Sequence, residues 1–178
     1  MTTARKLDDN DSSPFHDVAV RDATAAHDAA GHDATIHNAT IHDATVRVRY
    51  AETDQMGVVY HSNYLVWFEI GRVELMRALG VEYKEMEAVD DCHIVVVDVH
   101  CRYHKSAKYD EVLRIRTRIA ESRSRSIRFA YEIWRDADNQ LLATGETTHV
   151  ICGKDGRPRH LPKKYRHLFT VAVARESA

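Results

Sequence analysis

The chain has 178 residues, which suits one domain of ordinary size, and 29% of them are charged. It contains no apolar run of the ~18–20 residues that span a bilayer and no basic segment followed by an apolar stretch, so we expect neither a membrane helix nor a signal peptide. The formal net charge of −2 divides into −5 for residues 1–45 and +3 for the remainder, which fits a small anionic ligand and is too weak to indicate nucleic acid binding.

A degenerate five-residue repeat runs through residues 16–45, and its histidines recur every five residues at His27, His32, His37 and His42. Five residues of helix turn a side chain by about 140° beyond a full turn, and five residues of strand place it on the opposite face. No regular element therefore gathers these imidazoles around one metal ion. We predict a disordered low-complexity tail over residues 1–45, with adventitious metal binding as the alternative.

The pattern changes at Val46, where apolar and charged residues begin to alternate. Val46, Val48 and Tyr50 alternate with two arginines, which predicts a half-buried strand. A polar loop that contains Gly57 follows this strand. The loop leads to Asn63, a residue type that favours the N-cap of a helix.

One long helix is predicted for residues 63–79. Its apolar side chains recur at helical spacing, and Gly80 is a natural stop signal. The apolar positions are Leu65, Phe68, Leu75 and Leu79, widened by Val66, Val73 and Met76.

Four strand-like segments follow the helix, at 94–103, 111–119, 127–134 and 140–151. In the first of them, the odd-numbered residues from Val95 to Tyr103 form one apolar face. Consecutive antiparallel strands cannot bury an apolar face without a partner layer. The sequence therefore predicts an α+β fold, in which a curved five-stranded antiparallel sheet wraps around the helix. We place this domain at residues 46–169 and a C-terminal tail at 170–178.

The loop and the start of the helix carry the most specific motif of the chain. Residues 50–68 read YAETDQMGVVYHSNYLVWF. This motif resembles the signature of the hotdog-fold thioesterases of the 4-hydroxybenzoyl-CoA thioesterase superfamily, and most closely that of the YbgC-like branch. Looser matches follow at Glu69, Arg72, residues 107–110, Gly145 and Thr147. The resemblance covers residues 46–169, and it implies a hotdog fold and the hydrolysis of acyl-CoA thioesters.

The resemblance implies chemical roles for two residues of the loop. A carboxylate such as that of Asp54 is ionised at neutral pH, and it can attack a thioester carbonyl directly or act as a base on water. The start of the following helix offers unpaired backbone N–H groups and a dipole for the developing oxyanion. In the family, a backbone N–H about seven residues after the aspartate does this, and His61 stands at that position here.

Each candidate also has a purely structural interpretation. Asp54 could bond the backbone amides of its own loop, and the His61 side chain could serve in packing or in a subunit contact rather than in proton transfer. Tyr60 and Asn63 are candidate substrate contacts, although tyrosines at such positions often belong to a core. Another branch of the superfamily uses a helix carboxylate, which draws attention to Glu69. With Asp54 present, we interpret Glu69 as a hydrogen-bonding group that supports the substrate site.

Two arginines between predicted strands are candidates for binding the phosphates of CoA. Arg123 and Arg125 lie in the segment ESRSRS, and guanidinium groups offer paired donors that match phosphate oxygens. The resemblance also places CoA-phosphate contacts in this hairpin, while a solvated basic turn is the alternative. The chemistry as interpreted requires no metal and no organic cofactor.

The sequence therefore predicts an acyl-CoA thioesterase, with a non-catalytic hotdog protein that binds acyl groups or a scaffold partner as the alternative. Acyl carrier protein could replace CoA as the acyl donor, and the sequence does not reveal the acyl group. The two open edges of the predicted sheet favour a homodimer or a homotetramer. Three cysteines, an odd number without a secretion signal, favour reduced thiols in a cytoplasmic protein.

Overall fold

A five-stranded antiparallel sheet and one long helix dominate residues 41–174, the part of the chain that the computed structural model describes. In chain order the elements are β1 (His42–Arg47), a 3-10 turn (Tyr50–Glu52), α1 (Asn63–Ala78), α2 (Tyr83–Ala88), β2 (His93–Tyr103), β3 (Val112–Ser122), β4 (Ser126–Arg135), β5 (Gln140–Cys152) and α3 (Lys163–Ala174). The predicted architecture, a five-stranded antiparallel sheet with one long helix, is confirmed.

The strands lie in the order β1-β3-β4-β5-β2, so the first two strands of the sequence form the two edges of the sheet. The strands β3, β4 and β5 are joined by short hairpins, whereas α1 and α2 separate β1 from β2. The segment between β2 and β3 contacts the chain that precedes α1, because Val59 N–H donates to Ala107 O and Val48 N–H donates to Glu111 O, both at 2.9 Å. The loop before α1 is thus attached to one end of the sheet.

The helix α1 covers one face of the sheet with a continuous apolar stripe. Phe68, Leu75 and Met76 are fully buried, and burial of each such side chain contributes roughly 1.5–3 kcal/mol relative to exposure. Along β3 and β4, buried and half-buried residues alternate, as expected when a helix covers one face of a strand. The helix ends at Ala78, and Gly80 follows with a φ of +77°, as its sequence position predicted.

Two glycines allow the helix and the sheet to approach closely. A Cβ atom added to Gly71 of α1 would overlap the Thr117 side chain of β3, and a Cβ added to Gly145 of β5 would overlap the Phe68 ring. A larger residue at either position would force a neighbouring side chain or backbone segment to shift.

The strand β1 begins earlier than the sequence predicted. The alternating pattern starts at Val46, but the strand is already formed at His42 and pairs with β3. The Asp43 carboxylate forms ion pairs with two arginines of β3, at 3.0 and 3.8 Å, and Ala44 is buried. The predicted tail is therefore wrong for residues 42–45, because ladder pairing and ion pairs place small and polar side chains in the sheet.

The boundaries at both termini need correction or lie outside the structure. Tyr50, which the alternation placed in the first strand, lies in the 3-10 turn instead. The earlier copies of the histidine repeat fall in residues 1–40, outside the described residues. The tail predicted for residues 170–178 is wrong at its start, because α3 continues to Ala174.

The strand β2 exposes apolar side chains that no described residue covers. The predicted single apolar face of odd-numbered residues is wrong, because a register shift between Val96 and Asp98 interrupts the alternation. Val95, Val97, Val99 and Tyr103 are 43–58% exposed. Among the described strands β2 pairs only with β5, so its outer edge offers backbone groups that no described strand pairs. An apolar surface at an open sheet edge is typical of a site where another chain pairs.

The sequence analysis did not predict the helices α2 and α3. Tyr165 and Phe169 of α3 are buried, and Tyr165 Oη donates to the Asp90 carboxylate at 2.6 Å. With six residues, α2 is too short to give a helical period in the sequence. No helix in the described part of the chain is long and apolar enough to cross a membrane.

Candidate active site

The active-site loop, residues 53–62, folds tightly around Asp54. Asp54 N–H donates to Val58 O at 2.9 Å, and Gly57 N–H donates to Asp54 O at 3.0 Å. Gly57 has a φ of +72°, a left-handed conformation that favours glycine. Met56 N–H donates to Asp54 Oδ1 at 2.8 Å. This bond orients the carboxylate, and Oδ2 has no hydrogen-bond partner among the described residues, so it is free to approach a substrate.

Two consecutive backbone N–H groups at the end of the loop, those of His61 and Ser62, donate to no acceptor within residues 41–174. Their neighbours are occupied, because Tyr60 N–H donates to Glu52 O at 2.9 Å and Asn63 N–H donates to Tyr60 O at 3.0 Å. The unpaired groups lie just before the first residue of α1, where the helix dipole favours negative charge. They form a donor pair suited to an oxyanion.

A buried carboxylate that the sequence analysis missed stabilises the turn that precedes this loop. Glu52 is 5% exposed, and it accepts hydrogen bonds from the Arg49 backbone N–H at 2.7 Å and from the Arg49 guanidinium at 2.8 Å. Burial alone would raise the pKa of Glu52, but the bonds from Arg49 lower it below its ordinary value. The only feature of the sequence that could have indicated Glu52 is its position two residues before Asp54, inside the motif.

Asn63 supports the loop rather than capping the helix as predicted. Ser62 is the N-cap residue, and Asn63 is the first residue of α1. The Asn63 side-chain amide donates to Glu52 O at 2.8 Å. The next residue, Tyr64, is buried, and its hydroxyl accepts a bond from Ala107 N–H at 3.0 Å. The side chains of Asn63 and Tyr64 thus attach the loop to neighbouring backbone. Substrate contact by Asn63 stays a prediction.

A small cavity lies at the end of the loop, and Tyr60, a predicted substrate contact, does not line it. Tyr60 is 48% exposed, and its ring centroid lies 4.3 Å from that of His61. The cavity has a volume of about 290 Å³ and is lined by Val59, His61, Tyr64, Tyr103, His104, Lys105 and Ser106. It lies beside the unpaired N–H group of His61.

Glu69 does not join these residues. It is exposed on α1 and makes no hydrogen bond or ion pair within the described chain. No contact within the described chain supports the role of Glu69 at the substrate site, so this role stays a prediction.

Arg123 and Arg125 lie at the far end of the sheet from Asp54. They occupy the hairpin between β3 and β4, while the active-site loop lies near the start of β3. Eleven residues of β3 separate the two ends, which corresponds to roughly 33 Å. Arg123 Nε donates to Glu121 at 2.6 Å, and Arg125 lies 3.2 Å from His160 Nε2. One chain alone therefore does not bring these arginines to the site.

A larger groove of about 510 Å³ lies on the outer face of the sheet, away from α1. Its lining includes His100 and five charged residues, Arg102, Arg116, Arg118, Glu132 and Glu146. Arg116 pairs with Asp43 and Glu146 pairs with Arg128, and no residue of the active-site loop contributes to the lining. We therefore interpret it as a solvated polar surface and not as the reaction site.

Comparisons with known proteins agree with this geometry. Residues 48–169 match a family described as the thioesterase-like superfamily. The chain is 38% identical over 124 residues to a putative acyl-CoA thioesterase, YneP, of Bacillus subtilis, across 70% of this chain and 86% of the relative. It is 35% identical over 120 residues to the acyl-CoA thioester hydrolase YbgC of Escherichia coli, across 66% of this chain and 87% of the relative.

A solved structure is similar as well. The DHNA-CoA thioesterase from Staphylococcus aureus superposes with a TM-score of 0.68 at 31% identity, across 75% of this chain and 89% of that one. The similarity therefore spans the sheet, α1 and the active-site loop together.

Proposed function

The chain belongs to the thioesterase-like superfamily and is an acyl-CoA thioesterase, and from this premise we propose that Asp54 carries out the hydrolysis. The observation that supports this most directly is the pairing of two features in one loop. The Asp54 carboxylate has a free oxygen, and the His61 and Ser62 N–H groups a few residues later have no partner in the described chain. A carboxylate and an oxyanion donor pair are the two elements that acyl transfer requires.

In the proposed reaction, the thioester carbonyl oxygen accepts hydrogen bonds from the His61 and Ser62 N–H groups. The carbonyl carbon is then attacked in one of two ways. Asp54 adds to it directly and expels the CoA thiolate, which takes up a proton, and water then hydrolyses the mixed anhydride. Alternatively, Asp54 removes a proton from water as the water attacks, and the resulting adduct expels the CoA thiolate, which takes up that proton from Asp54. Both routes give a free acid and CoA, and Asp54 is ionised again at the end.

We further propose that the site is shared between two copies of the chain. Pairing of two β2 edges about a two-fold axis makes the strands antiparallel, so the start of one β2 lies beside the end of the other. The hairpin with Arg123 and Arg125 lies at the same end of the sheet as the start of β2. The dimer would bring that hairpin of one copy to the Asp54 end of the other, where the arginines would bind CoA phosphates.

Replacing the carboxylate by an amide tests the central role of Asp54. We expect Asp54→Asn to fold normally and to lose roughly 10²-fold or more of kcat, because an amide neither attacks a carbonyl nor accepts a proton. The measurement is the release of free thiol from a panel of acyl-CoAs. Asp155→Asn, in the exposed turn after β5, is the matched control and should retain full activity.

Two results would contradict the proposal. Near wild-type turnover by Asp54→Asn would show that another residue carries out the hydrolysis. Binding of acyl-CoA by the wild-type chain, without thiol release from any acyl-CoA or acyl carrier protein, would favour a non-catalytic acyl-binding protein.

A further inference from the structure

A tyrosine far from the active-site loop in sequence contacts the loop at its oxyanion end. Tyr103 is the last residue of β2, and its hydroxyl donates to the His61 carbonyl oxygen at 3.0 Å. The two residues are 42 positions apart. The only other donor to this oxygen in the described chain is Tyr64 N–H, at the longer distance of 3.4 Å. Tyr103 therefore supplies the shorter bond to this carbonyl.

Two aromatic rings limit the positions that the Tyr103 hydroxyl can take. Its ring meets the Tyr64 ring edge-on, with centroids 5.1 Å apart, and the His61 ring at 6.5 Å. Tyr64 is itself held by Ala107 N–H. Tyr103 is 45% exposed, but partial burial, followed by contact with the Cys101 thiol, raises its pKa to about 12. The hydroxyl thus keeps its proton at neutral pH and remains a donor.

The bond acts on the same peptide unit that carries one of the free N–H groups. The His61 carbonyl and the Ser62 N–H belong to one planar trans peptide, in which they point in opposite directions. Fixing the oxygen therefore fixes the direction of the Ser62 N–H. A hydrogen bond accepted by the carbonyl also polarises the peptide, which strengthens the N–H as a donor.

We propose that Tyr103 is a positioning residue for thioester hydrolysis, because its hydroxyl holds the peptide between His61 and Ser62 so that the Ser62 N–H faces the substrate oxygen. The inference rests on the proposed function, since it assumes that an oxyanion forms at this end of the loop. The Ser62 N–H, already one of the two donors, thereby has a fixed direction. The bond also connects the sheet edge at β2 to the reaction.

Removal of one hydroxyl tests this proposal. We expect Tyr103→Phe to lower kcat by roughly 5- to 30-fold, the scale of one hydrogen bond that strengthens as charge develops. KM for acyl-CoA should stay within about twofold, because a bond realised in the transition state contributes little to ground-state binding. Tm and the mass in solution should also be unchanged. Tyr109→Phe is the matched control, since the Tyr109 hydroxyl is exposed and has no hydrogen-bond partner in the described chain.

The outcomes separate this inference from the proposed function. If Asp54→Asn is inactive but Tyr103→Phe turns over like the wild type, the positioning role is overturned and the function of Asp54 stands. If Tyr103→Phe raises KM and lowers Tm along with kcat, the hydroxyl is structural and the proposal is also overturned. If Asp54→Asn remains active, the proposed function fails whatever Tyr103→Phe does.

Discussion

At the scale of single residues, the most unusual environment belongs to a buried histidine. His149 of β5 is 1% exposed, and its Nε2 lies 2.8 Å from Thr147 Oγ1. Its Nδ1 has no hydrogen-bond partner within the described residues. Burial, followed by the positive charge of Arg72, lowers the pKa of His149 from 6.5 to about 4. The imidazole is therefore neutral in the folded protein at neutral pH.

This lowered pKa predicts a loss of stability in mild acid. In the unfolded chain His149 takes up a proton near pH 6.5, whereas in the folded protein it does so only near pH 4. The free energy of unfolding should therefore fall as pH drops from about 6.5 to about 4, by at most about 1.4 kcal/mol per pH unit from this residue. Urea denaturation at pH 7 and pH 5 measures the effect.

His149→Gln should reduce that dependence on pH, because glutamine does not titrate. The exposed residue His100 provides the matched control, and His100→Gln should leave the dependence as in the wild type. An equal fall in stability in the wild type and in His149→Gln would show that other groups cause the acid sensitivity.

Part of the site could be predicted from single residues and part could not. The motif placed Asp54 and His61 in one loop before a helix, because their spacing is local. Glu52 and Tyr103 were not recognised, because their contributions come from burial and from a contact 42 residues away. Arg123 is the opposite case. Its charge suggested phosphate binding, but the sequence did not show that its hairpin lies at the far end of the sheet.

At the scale of elements, α1 and the strands β2 to β5 could be predicted because their apolar residues recur with a clear period, but the register shift in β2 between Val96 and Asp98 could not. The start of β1 could not, because Asp43, Ala44 and Thr45 are small or polar and continue the pattern of the repeat. Their place in the sheet depends on pairing with β3, which is about 70 residues away in sequence. Long-range pairing of this kind leaves no local signal.

A pair of charge substitutions tests whether residues 42–45 belong to the sheet. Ala44 is buried and Thr45, on the opposite face of β1, is exposed. Ala44→Asp should lower Tm by at least about 5 °C, because it buries an unpaired carboxylate. Thr45→Asp should change Tm by no more than about 2 °C. Thermal denaturation measures both effects. Equal and small changes in Tm would show that this segment belongs to a tail and not to the sheet.

At the scale of the whole molecule, the open edge at β2 favours a dimer. The exposed valines of this strand and its unpaired backbone groups would both be covered by a second β2. Light scattering at micromolar concentration should therefore give twice the chain mass of 20.4 kDa. A monomer with full thioesterase activity would contradict the shared site.

Hybrid dimers test which residues the two copies share. Asp54→Asn lacks the carboxylate, and the double variant Arg123→Ala/Arg125→Ala should bind acyl-CoA weakly. If the arginines act across the interface, each hybrid dimer has one intact site. Random association of equal amounts should then restore roughly a quarter of wild-type activity at low acyl-CoA concentration.

The double variant should hydrolyse a short acyl-pantetheine as well as the wild type does, because that substrate lacks the phosphates. No recovery of activity in the mixture would show that the arginines do not complete the site of the other copy.

The strand order also determines when the catalytic apparatus appears during folding. The strands β3, β4 and β5 are neighbours in sequence and in the sheet, so their contacts close short loops, whereas β1 and β2 close much longer ones. The active-site loop lies in the long segment between β1 and β2, and Tyr103 contacts it from the end of β2. We therefore expect the hairpins to form early in refolding and hydrolytic activity to return only when both edge strands have docked.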